Sequence, residues 1–351
     1  MSSQPFTIQR INQQFTITKS QKNGLSYELF VGNQPTLSTE NKQFLATFSD
    51  QAITFPDPDS SQRLYFYLRS ETTHYLIAER KVMVQLNNLR DLGGYLTDNG
   101  QITRYGLLFR SDDLFPLPPE DCRYLEAMAI RSIIDYRSLA ERNSRPNKKI
   151  ATAQEYICSP NASMAELASA SMETDKERID QLLKIAESPD AQAYFEKGRA
   201  GMAEEMARFV EDPLGIAAFK GLLTLVKNPD NAPLIQHCRG GKDRTGYGTA
   251  LILILLGVPT RTIFEDYLLT IEMNRERNHK RMQEYQQYTD HPMVLKALAD
   301  AMSTQESYLQ ASFDAMTRLS GTPLDYICHY LGISEAEIIR MRQAYCYSPE
   351  R

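Results

Sequence analysis
The hydrophobic pattern changes character near residue 86. Upstream, apolar and aromatic runs recur at strand length. Phe6 to Lys19 alternates, and Leu25 to Val31, Phe44 to Phe48, Ala52 to Phe55, Arg63 to Leu68 and Tyr75 to Val84 follow, divided by turn-forming stretches such as Gly32-Asn33 and Pro56-Asp57-Pro58-Asp59. Six or seven strands at this spacing predict an antiparallel, sandwich-like all-β domain over residues 1–85. Downstream, short buried strands alternate with helical runs. Pro118-Pro119-Glu120-Asp121 opens a helix with Leu125 to Ala129 as its apolar part, Ile130 to Ser138 is a buried strand with a polar end, and Asp212-Pro213 starts a helix from Leu214 to Lys227. Leu234-Ile235-Gln236 is a further strand, and Tyr247 to Leu256 a buried helix ended by Gly257 and Pro259. This alternation predicts an α/β domain over residues 86–351, a parallel sheet flanked by helices. Residues 161–212 interrupt it with polar helices, Met164 to Ala170, Asp175 to Ala186 and Ala191 to Val210, whose methionines suit an adaptable apolar face.

The chemistry concentrates in one stretch, His237-Cys238-Arg239-Gly240-Gly241-Lys242-Asp243-Arg244-Thr245-Gly246. It joins a strand to a helix through a loop with two glycines. Such a loop turns backbone N–H groups inward at a helix N-terminus and cradles phosphate. Cys238 at its mouth supplies a thiolate nucleophile, which the amides, the helix dipole and Arg244 all favour. The step from Cys238 to Arg244 lets the loop close and sets a guanidinium beside the sulfur, where its planar fork can hold two phosphate oxygens. Thr245 can donate to the sulfur as it leaves, and His237 is placed to orient the cysteine backbone. Arg239, Gly240, Gly241 and Lys242 are further expected phosphate ligands, through charge or amides. Asp243, directly before Arg244, is the loop's own carboxylate and a candidate catalytic group. Asp135, at the end of a strand where open parallel sheets bind ligands, is a second candidate carboxylate, held in reserve. Arg90 and Arg137 are candidate phosphate ligands too, each with a carboxylate close by in sequence, Asp91 or Asp135, that competes for it. Two look-alikes weigh less: Phe55-Pro56-Asp57 reads as a Pro-Asp turn, and Asp212 as a helix N-cap.

The stretch resembles the Cys-x5-Arg signature of cysteine-dependent tyrosine phosphatases. More narrowly, H-C-x-x-G-K-D-R-T-G resembles the bacterial family of mycobacterial protein tyrosine phosphatase B. Asn88-Leu89-Arg90-Asp91-Leu92-Gly93-Gly94, Gly106 to Asp112, Asp135-Tyr136-Arg137-Ser138 with Glu141, Asp266-Tyr267-Leu268 and Leu331-Gly332-Ile333-Ser334 resemble the same family, although Tyr136 stands where the family usually has Leu. The likeness runs from about residue 86 to 346 and leaves the first 85 residues outside. It implies a phosphatase that forms a phosphocysteine without metal or cofactor, a loop aspartate, Asp243, that moves the proton, and a helical lid at 161–212. The basic positions Arg239 and Lys242 are similar to those of phosphoinositide 3-phosphatases. Phosphoinositides therefore compete with phosphotyrosine as substrate, with phosphoserine and phosphothreonine as further substrates. A catalytically silent phosphate-binding adaptor, a sulfur transferase and an arsenate reductase are other uses of such a loop. The complete Cys-Asp-Arg-Thr set argues against the first, and the Lys242 to Gly246 string against the others.

Composition narrows the partners. A net charge of −5 gives no electrostatic case for nucleic acid. The longest apolar run, Leu251 to Val258, falls well short of the ~18 residues of a membrane span. Five scattered cysteines lack metal-ligand spacing and suit a reducing compartment. Met1-Ser2-Ser3-Gln4-Pro5 has no charged, apolar leader. A cytoplasmic enzyme acting on phosphorylated protein or phosphoinositide is expected, with the N-terminal β domain left for packing or a protein partner.

Overall fold
The strand-length runs of the first part fold as antiparallel hairpins. The computed structural model describes residues 5–22, 24–160, 162 and 172–350. Among them, β1 (Phe6–Ile11), β2 (Gln14–Lys19) and β5 (Ala52–Pro56) form one sheet. A second runs in the order β4 (Gln43–Phe48), β3 (Tyr27–Gly32), β6 (Tyr65–Arg69), β7 (His74–Ile77). Asn12 and Gln13 take φ of 49° and 60° in the turn between β1 and β2, the left-handed geometry that a two-residue hairpin loop needs. Alternate side chains meet between the sheets: Phe6, Phe15 and Ile17 from one, Tyr27, Leu29, Phe66 and Leu68 from the other. β7 stops at Ile77, short of the expected Val84, because the chain crosses to the second part and Lys81 bridges to Arg90.

The second part is built on a five-stranded sheet: β12 (Gln154–Ile157), β11 (Ser132–Asp135), β13 (Leu234–His237), β10 (Leu108–Ser111) and β8 (Arg90–Asp91). The first four run parallel and β8 antiparallel. Leu108, Ile134 and Leu234 turn to one face, toward the core of helices Asp243–Leu255, Pro213–Val226 and Glu306–Ser320. Phe109, Ile133 and Ile235 turn to the other, where they meet Leu125 of helix Pro119–Ala127. Strands buried on both faces are the α/β architecture the alternation predicts. Register then sets the site. Ser111 and Asp135 both pair with His237, so three neighbouring strands end together and pass into Asp112, Tyr136 and Cys238 at one edge.

The expected helix Met164 to Ala170 lies outside the described residues. Helices Met172–Ala186 and Ala191–Glu211 follow. The second is not peripheral at its carboxyl end. Met202, Met206, Phe209 and Val210 are buried in the main core, and the Met206 carbonyl accepts the Ser312 hydroxyl at 2.7 Å. Its opening residues Ala191 and Phe195 join Ile179 in a smaller core with Tyr285, Val294 and Leu298 of helices Arg275–Gln286 and Pro292–Met302. Among the described residues no helix is long and apolar enough to cross a membrane.

A buried seam joins the sandwich to the α/β part. Tyr105 packs among Phe30, Tyr65, Tyr67 and Leu76. The Leu76 amide donates to the Tyr347 hydroxyl at 3.1 Å. Arg63 and Asp91 form a buried pair at 2.8 Å, and Asp91 also accepts the Gly93 and Gly106 amides. Arg63→Ala removes the countercharge of a buried carboxylate, and the expected cost is about 3–5 kcal/mol. Denaturant unfolding of the full chain at neutral pH measures it. A loss below about 1 kcal/mol, the scale of an exposed pair, would show that the seam does not depend on this charge.

Candidate active site
β13 delivers Cys238 at its carboxyl end, and the chain turns through Arg239 to Lys242 into helix Asp243–Leu255. That helix starts earlier than the expected Tyr247, so Asp243, Arg244 and Thr245 form its first turn. Side chains pull the loop carbonyls outward. Asn88 Nδ2 and Arg110 Nη2 donate to the Gly241 carbonyl at 2.9 and 2.8 Å, and Asn274 Nδ2 donates to that of Gly240 at 3.0 Å. Peptide planes held this way present their N–H groups to the opposite side. Gly241 has φ +63°, and a Cβ there would stand 2.5 Å from the Ser111 carbonyl oxygen. Only glycine lets the loop pass. The first helical turn adds amides without intrahelical acceptors and the positive end of the helix dipole.

Three consecutive residues of that turn each bury a polar atom without a partner among the described residues: Asp243 Oδ1, Arg244 Nε and Thr245 Oγ1. Arg244 is held from behind. Its Nη1 and Nη2 donate to Glu141 at 2.6 and 2.9 Å, and Nη1 also reaches the Tyr136 carbonyl at 3.2 Å. Burial works against the guanidinium charge, but Glu141, Cys238 and Asp243 outweigh it and raise the pKa. Burial works against the Glu141 charge as well, and Arg244 outweighs it and holds that carboxyl below its usual range. Glu141 also closes a capping box with Ser138 at the start of helix Leu139–Ser144. The capping pattern was readable in the sequence, but the reach to Arg244 was not. His237 Nδ1 lies 3.2 Å from the Cys238 carbonyl, and Nε2 lies 3.1 Å from the Asn147 amide nitrogen. A carbonyl only accepts, so Nδ1 donates and fixes the cysteine backbone, while Nε2 also lies 3.7 Å from Asp135 Oδ2.

Several expected ligands are engaged elsewhere. Arg90 does not pair with Asp91, because strand neighbours face opposite ways. Asp91 meets Arg63, while Arg90 is fully buried and donates to Asn88, Asp266 and Thr270. Arg137 donates to Asp135, Asn147 and the Arg145 carbonyl. The expectation that either binds phosphate is corrected: every guanidinium nitrogen has a protein acceptor. Asp135 accepts from the Arg137 amide and side chain and from Asn147. Burial pushes its carboxyl up, but His237 and Arg137 outweigh this and lower it. Lys242 Nζ donates to the Ala301 and Ser303 carbonyls at 2.8 Å each. Arg239 pairs with Asp113, which also takes Arg145 at 3.1 Å. The Thr245 hydroxyl does not bond the Cys238 sulfur. Of the look-alikes, Asp57 pairs with Arg10 at 3.2 Å inside the sandwich, and Asp212 Oδ1 caps its helix by accepting the Leu214 amide at 2.8 Å.

The profile of the tyrosine phosphatase family matches residues 82–347. The chain belongs to the tyrosine phosphatase family. It is a hydrolase of phosphorylated substrates. Among its relatives is a Cupriavidus necator protein named provisionally as a tyrosine-protein phosphatase, 25% identical over 72% of this chain and 84% of that one. Another is the triple specificity protein phosphatase PtpB of Mycobacterium tuberculosis, 25% identical over 73% of this chain and 95% of that one. The crystal structure of P. aeruginosa TpbA in complex with pTyr is 11% identical, covers 70% of this chain and 88% of that one, and superposes with a TM-score of 0.22.

Sequence reading passed over a fully buried carboxylate shared by two arginines, Asp266 of helix Thr260–Met273. It takes Arg90 at 2.9 Å, Arg110 at 2.5 Å and the Tyr95 hydroxyl at 2.7 Å. Its only signal was the Asp266-Tyr267-Leu268 string. Burial opposes its charge, but Arg90 and Arg110 outweigh this and hold the carboxyl far below its usual range. Its contribution to stability is therefore complete above the unfolded pKa of about 3.9 and is lost as pH falls toward the depressed folded value. The stability gap between wild type and Asp266→Asn should stay constant above about pH 5 and narrow below about pH 4. Denaturant titrations across pH read this directly, and a gap unchanged down to pH 2 would refute it. Glu141→Gln loosens Arg244 and should lower kcat about tenfold to a hundredfold. Steady-state kinetics at saturating substrate checks it, and an unchanged kcat would mean that Glu141 does not position the arginine.

Proposed function
We propose that the phosphatase hydrolyses phosphotyrosine in proteins through a phosphocysteine on Cys238. The three buried atoms Asp243 Oδ1, Arg244 Nε and Thr245 Oγ1, turned out of one helical turn at the end of β13, carry this reading. A tetrahedral anion with a leaving oxygen needs that set: a donor fixed on an equatorial oxygen, a proton carrier, and a hydroxyl near the nucleophile. In the first step the Cys238 thiolate attacks phosphorus, the bond from phosphorus to the tyrosyl oxygen breaks, and protonated Asp243 gives that oxygen its proton. Loop amides and Arg244 Nε hold the equatorial oxygens through the loose transition state. In the second step water attacks phosphorus, Asp243 takes its proton, and the sulfur–phosphorus bond breaks to return thiolate and inorganic phosphate. Thr245 is the donor available to the departing sulfur.

The phosphoinositide alternative leans on free charge at Arg239 and Lys242. Asp113 neutralises the first, and two backbone carbonyls hold the second, which favours one phosphate in the cradle and a peptide outside it. On this reading residues 86–351 are the catalytic domain and 1–85 an accessory β domain. Helices Met172–Ala186, Arg275–Gln286 and Pro292–Met302 form a cover beside the loop, tied to it by Lys242.

Reduced wild type should release phosphate from a phosphotyrosine peptide without added metal. Cys238→Ser should abolish turnover while retaining peptide binding. Asp243→Asn should lower kcat about a hundredfold on tyrosyl phosphate and much less on an aryl phosphate whose leaving group needs no proton. Turnover surviving in Cys238→Ser would overturn the phosphocysteine. Equal losses on both substrates in Asp243→Asn would overturn the role of that aspartate.

A further inference from the structure
We infer that Arg277 reads a second anionic group of the substrate, a carboxylate or phosphate on the peptide beside the phosphotyrosine. This rests on the phosphotyrosine reading of the loop. The first observation concerns Gly240. Unlike Gly241, it is not among the positive-φ glycines, so backbone conformation does not demand glycine there. What crowds the position is the Arg277 side chain. A Cβ on Gly240 would stand 3.3 Å from Nη1, 3.8 Å from Nη2 and 3.9 Å from Cζ. Such similar distances set the guanidinium against the loop itself, next to the cradle. Asn274, at the head of helix Arg275–Gln286, holds this approach by its bond to the Gly240 carbonyl at 3.0 Å.

The second observation is charge. Other basic residues of that helix have their own carboxylates: Arg275 has Glu272, Lys280 has Glu276 at 2.8 Å, and Arg281 has Glu284 at 3.0 Å. Across the loop, Arg239 has Asp113. Arg277 has no ion-pair partner among the described residues, and its hydrogen bond to Asn278 Oδ1 is long, 3.4 Å. A half-buried guanidinium with donors to spare, against the lip of a phosphate cradle, is a fork for one further anion. The occupant follows from the same pairing. With Arg275, Lys280 and Arg281 each neutralised, the helix offers no basic plane to an anionic bilayer, whereas a single fork fits one side chain of a peptide.

The test uses the full chain as wild type, Arg277→Met and Arg277→Lys. Substrates are p-nitrophenyl phosphate and phosphotyrosine peptides that carry glutamate or glutamine on either side of the phosphotyrosine. The readout is the ratio of kcat/KM for the glutamate over the glutamine peptide, which cancels general damage to the loop. Wild type should favour glutamate by about tenfold, the scale of one charge-assisted pair at a half-exposed site. Arg277→Met should bring the ratio to near one, and Arg277→Lys should keep part of it. No preference in wild type, or the same preference in Arg277→Met, overturns the proposal. Peptide ratios unmoved by Arg277→Met, with loss confined to soluble short-chain phosphoinositides bearing a second phosphate, would replace the peptide by an inositol headgroup and overturn this assignment. A wild type that leaves even p-nitrophenyl phosphate intact would sink the phosphatase reading underneath it, a different result from a flat ratio.

Discussion
One buried carboxylate organises the protein. Asp266 brings together two guanidinium groups that would otherwise repel, Arg90 from β8 and Arg110 from β10. Without a carboxylate between them, neither cation could be buried at the edge of the sheet. The clasp reaches in both directions. Arg110 continues to the Gly241 carbonyl and turns it away from the cradle. One residue along β8, Asp91 points to the opposite face and takes Arg63 of the sandwich. The loop after Cys238 is thereby joined, through β8 and β10, to Arg63, just before β6 of the sandwich. The sandwich is part of the same buried charge network as the loop.

The same rule governs the rim. Arg137 has Asp135, Arg239 has Asp113, and Arg244 has Glu141. Each pair orients a side chain that would otherwise be flexible. For Arg244 the orientation matters most, because both terminal nitrogens are taken and Nε is left without a partner among the described residues. A loop crowded with basic residues in sequence is thus mostly neutralised in space. Among the described residues Arg277, beside the same loop, has no carboxylate of its own and only a long bond to Asn278.

Much of this was legible in the sequence. Periodicity gave the β part, the alternation of strands and helices beyond residue 86, and the strand–loop–helix junction at Cys238. The junction's glycines and the Asp212 cap were readable because each acts on its own backbone within a few residues. The start of helix Asp243–Leu255 was misplaced, because its polar first turn hides inside the loop motif. The methionine face of Ala191–Glu211 was read as part of a lid. Half of it lies in the main core against Glu306–Ser320, a helix more than a hundred residues away in the chain.

What the sequence determined by itself was therefore local: where strands and helices fall, which backbone turns need glycine, and which cysteine ends the strand at the strand–loop–helix junction. What only the tertiary structure decided was pairing. Arg90 with Asp266 rather than Asp91, Glu141 with Arg244 and Arg239 with Asp113 all join segments far apart along the chain. A charge's partner depends on which surfaces meet when the sheet closes, and no short-range pattern encodes that meeting.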